Sequence, residues 1–123
     1  MFDIENFLDK GLTKGGHRSS KFEVFINEDD DFCKYRIYSC SFKVYNANFV
    51  MGKFIMMEDE DFRSKTFLDT IVNKRINLNV NFFGRDGTLL ETLTKSVFIG
   101  NYELKLDWSK TDEITEYEVS FES

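Results

Sequence analysis

The chain predicts a mainly β fold, an antiparallel β-sandwich or barrel with one α-helix at about residues 61–74, and three observations lead there. Apolar and polar side chains alternate with period two over most of the length. One stretch alone, after residue 58, changes to helical spacing, and acidic or glycine-containing tetrads separate the pieces. At 123 residues, with 41% hydrophobic content and 14 phenylalanines, the chain can bury one core without disulfides or metals.

The elements follow in order. Phe2, Ile4, Phe7 and Leu8 lie at roughly helical spacing in a piece too short to hold itself as a helix, so it calls for a partner surface. Gly11 to Ser20 reads as a flexible connection, which divides the chain into an N-terminal segment at 1–20 and a β domain at 21–123. Lys21 to Asn27 is the first strand, with Phe22, Val24 and Ile26 on one face, and the acidic tetrad at 28–31 ends it. Phe32 to Tyr45 reads as one long strand with large residues on both faces, Tyr35 and Ile37 against Tyr38, Phe42 and Val44; such a strand faces a core on one side and a partner on the other. Phe49 to Met57 is a third strand, interrupted at Gly52.

Phe62, Phe67, Leu68, Ile71 and Val72 then form the helical stripe. The run Glu58 to Asp61 precedes it and Lys74 and Arg75 follow it, as the helix dipole favours. From Arg75 the period returns to two: Ile76, Leu78, Val80 and Phe82 face one way and Asn77, Asn79 and Asn81 the other. The tetrad Gly84 to Gly87 supplies a hairpin turn in which Asp86 and Gly87 take positive φ, and Thr88 to Ile99 is the returning strand. The final hairpin sets Tyr102, Leu104 and Leu106, then Tyr117, Val119 and Phe121, against an acidic face of Glu116, Glu118 and Glu122. Proline is absent, so no strand is marked as an edge by that device, and unguarded edges invite pairing between subunits.

Several function classes find no footing. The net charge of −6, with lysines and arginines scattered, argues against affinity for nucleic acid phosphates. No apolar run approaches the roughly 20 residues of a membrane helix, and the N-terminus is acidic where a signal peptide is basic. Cys33 and Cys40, seven residues apart in the expected long strand, would lie on opposite faces roughly 23 Å apart, too far to bridge; they read as reduced thiols of a cytoplasmic protein. His17 is the sole histidine and has no cysteine or acid near it in sequence, the acidic tetrads lack calcium-loop spacing, and Gly15-Gly16 lacks the ending of a phosphate loop. The expectation is a protein that is not an enzyme, without catalytic, metal or cofactor residues.

The block Arg18 to Ile26 (RSSKFEVFI), the block Lys53 to Ile71 (KFIMMEDEDFRSKTFLDTI) and the closing GNYELKLDWSKTDEITEYEVSF occur in the order and spacing of a known family. Together they resemble the tail tube proteins of contractile-tailed bacteriophages. The resemblance implies a ring-shaped hexamer, rings stacked into a hollow tube inside a sheath, and DNA passing through as non-adhering cargo. Implied partners are further copies of the chain, the tail sheath protein, and the baseplate and tail terminator proteins, with no membrane; the implied location is the virion tail, assembled in the host cytoplasm.

On that resemblance Glu116, Glu118 and Glu122, with Asn77, Asn79 and Asn81, line the lumen, where negative charge keeps a duplex from sticking. Without it, the same glutamates are the solvated side of an ordinary sheet. Phe2, Phe7 and Leu8 are expected to dock on a neighbouring ring. Trp108 is expected either to pack at the corner of the last hairpin or to serve as an inter-ring contact. Two alternatives stay open: a baseplate tube initiator or the tube of a contractile-injection or secretion system, which share the fold, and a small β-barrel holding an apolar ligand among its phenylalanines.

Overall fold

Period-two alternation produces strands when one face can be buried, and six segments meet that condition. The computed structural model describes residues 17–27, 32–110 and 113–123. The expectations for Phe2, Phe7 and Leu8, for the connection up to residue 16 and for the turn at 28–31 lie outside the described residues. The strands are β1 (Phe22–Ile26), β2 (Ile37–Asn46), β3 (Phe49–Met57), β4 (Arg75–Phe83), β5 (Leu89–Leu104) and β6 (Glu116–Glu122), with one helix, α1 (Arg63–Ile71), between β3 and β4. They form a single antiparallel sheet in the order β1-β4-β5-β6-β3-β2, curled into a half-barrel.

The inner face of the curl is the core. Val24 and Ile26 from β1, Phe54 and Met56 from β3, Ile76, Leu78 and Val80 from β4, Val97 and Ile99 from β5, and Tyr117, Val119 and Phe121 from β6 are all buried there. Each set alternates with outward residues as the sequence pattern requires. The helix closes the curl with Leu68 and Ile71, while the Phe67 ring leans on Phe32 at 5.2 Å between centroids. At the helix end Asn73 takes a left-handed φ of 61°, its N–H reaching the Ile99 carbonyl at 2.8 Å, so the chain leaves the helix and enters β4 in a single turn.

Several expectations need correction. The helix spans Arg63–Ile71 and not 61–74: Phe62 sits at a left-handed φ of 57° before it, with its ring largely in solvent, and Arg75 already belongs to β4. The strand expected from Phe32 begins only at Ile37. The N–H groups of Arg36 and Ile37 both bond to the Cys33 carbonyl, at 3.0 and 2.9 Å, so the chain turns there. A register shift between Ile37 and Ser39 then changes the parity, and Cys33 and Cys40 therefore both meet the core instead of lying on opposite faces of one strand. Burial raises the Cys40 thiol to about 12.

In the β4–β5 turn only Gly87 has positive φ (83°) while Asp86 does not; the Asp86 carboxylate instead accepts the Thr88 N–H at 2.9 Å. Finally, Thr88–Ile99 and the first arm of the closing hairpin are one strand. β5 runs 16 residues, pairing with β4 through Leu89–Phe98 and with β6 through Phe98–Leu104. A register shift between Ile99 and Asn101 lets Ile99 and Tyr102 both face inward across it. Gly52 does not interrupt β3. It is where the Phe121 ring crosses the sheet: a Cβ there would lie 2.6 Å from the ring and 2.1 Å from the Ser41 carbonyl oxygen.

Candidate functional site

Because Tyr117, Val119 and Phe121 point inward, Glu116, Glu118 and Glu122 must point outward; because Ile76, Leu78 and Val80 point inward, so must Asn77, Asn79 and Asn81. The six residues thus share the outer face of the curled sheet, on strands flanking β5. The fold brings together what the sequence placed in two separate segments.

The glutamates are not a bare acidic row. Glu118 forms ion pairs with Lys53 of β3 at 2.7 Å and with Lys105, just past β5, at 3.3 Å. These two lysines, the hydrogen bond from Lys53 first, hold its carboxyl below the ordinary range. Glu116 accepts a hydrogen bond from the Tyr38 hydroxyl at 2.6 Å, and that bond to a carboxylate pushes the Tyr38 phenol up to about 12. The expected repulsion along β6 is offset by cations from the neighbouring strands. A strand order would have shown this from sequence; the alternation within β6 could not.

Asn79 and Asn81 are tied to the segments on either side of β4. Asn79 is only 8% exposed; its amide donates to the Asn27 carbonyl at 3.0 Å and accepts from the Thr94 hydroxyl at 2.9 Å. Asn81 accepts from Thr92 at 2.8 Å and donates to Glu23 at 3.2 Å. Amide–hydroxyl pairs across β4 and β5 therefore pave this half of the face with satisfied polar groups. His17 lies apart from it, its Nε2 2.9 Å from the Lys21 carbonyl oxygen and its ring edge-on to Phe82 at 5.6 Å, a residue that packs against the core.

A second cluster, which sequence reasoning missed, joins the helix to the sheet. The Glu58 side chain is 2% exposed, yet its oxygens accept the N–H groups of Ser64 and Lys65 at 3.0 and 2.9 Å and the Tyr117 hydroxyl at 2.7 Å. Burial alone raises its carboxyl, but these bonds outweigh it and leave the group below its ordinary value. Arg36 bonds Asp59 at 2.5 Å and the Ser64 hydroxyl at 2.9 Å, with its guanidinium 4.3 Å from the Phe32 ring centroid. The acidic run therefore serves the helix start as expected, though through Glu58 and Asp59 lying before the first turn. Every group in this cluster is occupied in holding the fold.

The loop between β5 and β6 contrasts with that order. Trp108, expected at least in one reading to pack at the hairpin corner, is 98% exposed, and Leu106 and Ile114 are 73% and 59% exposed. The chain leaves β5 at Leu104, so Leu106 and Trp108 have no sheet beneath them. Beside them an open groove of about 440 Å³ runs between the loop and the outer face, with Ile55, Leu106 and Ile114 as its apolar lining and Lys105, Lys110 and Glu113 among its charged residues.

Among the described residues no three histidine, cysteine, aspartate or glutamate side chains gather as a ligand set for a metal, and no helix is long and apolar enough to cross a membrane. Compared with known proteins, the chain matches no family model, and neither a curated protein nor a solved structure is significantly similar to it.

Proposed function

We propose that the chain is a self-assembling structural protein whose copies join into hexameric rings that stack as the inner tube of a phage tail, carrying DNA as cargo that does not adhere. The observation that carries this reading is the unpaired backbone of the sheet. Among the described residues β1 and β2 each have a neighbour on one side only, and β6 pairs with β5 only from Phe98 onward, which leaves residues 89–97 paired on the β4 side alone. Exposed strand edges are templates for further strands, and Leu89 and Leu90 add exposed apolar surface at this one. On the outer face, the glutamates of β6, with Lys53 and Lys105 paired to Glu118, and the asparagines and threonines of β4 and β5 are the candidate non-adhering wall this function needs.

In the same reading Phe2, Phe7 and Leu8 dock on a neighbouring ring, Trp108 makes a contact between subunits, and sheath, baseplate and terminator proteins are the further partners. An initiator or an injection-system tube would use the same surfaces. Negative-stain electron microscopy across a concentration series tests it: rings or tubes are expected, and a monomeric particle at every concentration overturns the proposal. Removing Met1 to Lys10 is expected to leave the β domain folded and to stop tube growth.

A further inference from the structure

We propose that α1 and the chain leading into it form a cover bolted to the curled sheet by carboxylates, one that acid lifts off while the sheet stays paired. The device is conformational and stands apart from the assembly reading.

The chain from 59 to 72 hangs between two backbone bonds that acid leaves intact. At its start the Glu58 N–H donates to the Thr115 carbonyl at 2.9 Å, and at its end the Asn73 N–H donates to the Ile99 carbonyl at 2.8 Å. Because α1 joins β3 to β4, which are not neighbours in the sheet, lifting it breaks no ladder between strands. Of the helix side chains only Ser64, Leu68 and Ile71 are buried, and a short helix with two deep apolar anchors has little hold of its own.

Side-chain bonds that end on carboxylates supply most of the rest. Glu58 takes the Tyr117 hydroxyl of β6 and the N–H groups of Ser64 and Lys65, with the Arg36 guanidinium 3.9 Å away. Asp59 takes Arg36 from the chain before β2 and Arg63 from the helix, while Asp69 takes the Tyr102 hydroxyl of β5 and the Lys65 ammonium. One neutral bond joins them, from the Ser64 hydroxyl to the Met57 carbonyl at 2.6 Å. Protonation removes the charge that strengthens each carboxylate bond, and it leaves Arg36, whose side chain is 14% exposed, without a counter-ion.

On the sheet, by contrast, Glu116, Glu118 and Glu122 stand on the outer face, where ion pairs add little to the strand ladders. Acid therefore acts on the cover first. The carboxyls of Glu58, Asp59 and Asp69 all lie below their ordinary values, so the bolts are complete above pH ~4 and are lost as pH falls through the folded values.

Hydrogen exchange on the full chain, read as protection relative to the intrinsic rate at each pH from 7 down to 3, tests the proposal. The amides of Thr66 to Val72 are expected to lose about tenfold or more of their protection while those of β4 and β6 keep theirs. Loss in helix and sheet together, or a helix that stays protected to the acid end, overturns it. Glu58→Gln combined with Asp69→Asn imitates the acid form, so at pH 7 this variant is expected to show the same loss confined to α1. Parent-like protection in the variant, or a variant whose sheet does not form, refutes the cover.

Discussion

The Tyr117 hydroxyl, where β6 meets the start of α1, donates a hydrogen bond to the Glu58 carboxylate at 2.7 Å, and the same carboxylate holds the N–H groups of Ser64 and Lys65 in the first turn of α1. One acidic side chain thereby couples the last strand to α1, across 59 residues of sequence. Glu58→Gln is expected to destabilise the fold by about 2 kcal/mol, because a charge-assisted acceptor is replaced by an amide that must turn one NH₂ toward donors. Tyr117→Phe should cost ~1 kcal/mol or more. Urea unfolding of both single variants and the double variant measures the coupling, and additive losses would show that the two groups act independently.

The pH dependence follows from the same cluster. The carboxyls of Glu58 and Asp59 lie below their unfolded values, Glu58 through its hydrogen bonds against the pull of burial and Asp59 chiefly through Arg36. The unfolded chain then binds more protons than the native one, so this stability is fully present above the unfolded carboxylate range near pH ~4 and is lost as pH falls through the folded values. At the other extreme, burial and Glu58 raise the Tyr117 phenol, so its contribution is complete below about pH 10 and is lost as pH rises through its folded value. Thermal unfolding scanned from pH 7 down to pH 3 should fall steeply for the parent chain and less steeply for Glu58→Gln.

Gly52 is the tightest point in the sheet. Gly52→Ala sets a methyl group 2.1 Å from the Ser41 carbonyl oxygen, which is backbone of the paired strand and cannot swing aside. A loss of ~3 kcal/mol or more is expected, from overpacking together with a broken β2–β3 register. Gly100→Ala is the control, since a Cβ there meets nothing within 4 Å. Equal midpoints for the two variants in chemical denaturation would contradict the close approach.

The neutralised acidic face yields a prediction of sign. Replacing Glu116, Glu118 and Glu122 together with lysine leaves Lys53 and Lys105 unpaired and turns the outer face of β3, β6 and the end of β5 strongly positive. DNA retention is expected in gel-shift experiments at 50 mM salt and should weaken sharply by 200 mM, as phosphate binding does. Absence of any retention at low salt would show that this face does not meet DNA in the assembled state.

Asn79→Ala should be more damaging than its polar strand position suggests. It leaves the Thr94 hydroxyl and the Asn27 carbonyl without their partner, with an expected cost of about 1–2 kcal/mol. Asn77→Ala, at an exposed site on the same strand, should lie within ~0.5 kcal/mol of the parent chain in the same unfolding assay.

Spacing along the chain was enough to assign the buried faces of β1, β4 and β6, with Asn79 the exception, and to place one helix between β3 and β4. Those properties are local: a period of two or 3.6 commits a face to the core before any partner is known. The sequence also determined the Gly84–Gly87 turn, though not which residue carries the positive φ. Tertiary structure alone decided that β6 lies between β3 and β5, that one long β5 serves two neighbours, and that a turn at Cys33–Ile37 and a shift at Ser39 bring both cysteines to the core. It likewise set Lys53 and Lys105 against Glu118, buried Glu58 under Tyr117, and left Trp108 in solvent. Each of these is a pairing between residues distant in the chain, or the lack of one. Such pairings are selected by the global packing of the sheet, and no local period encodes them.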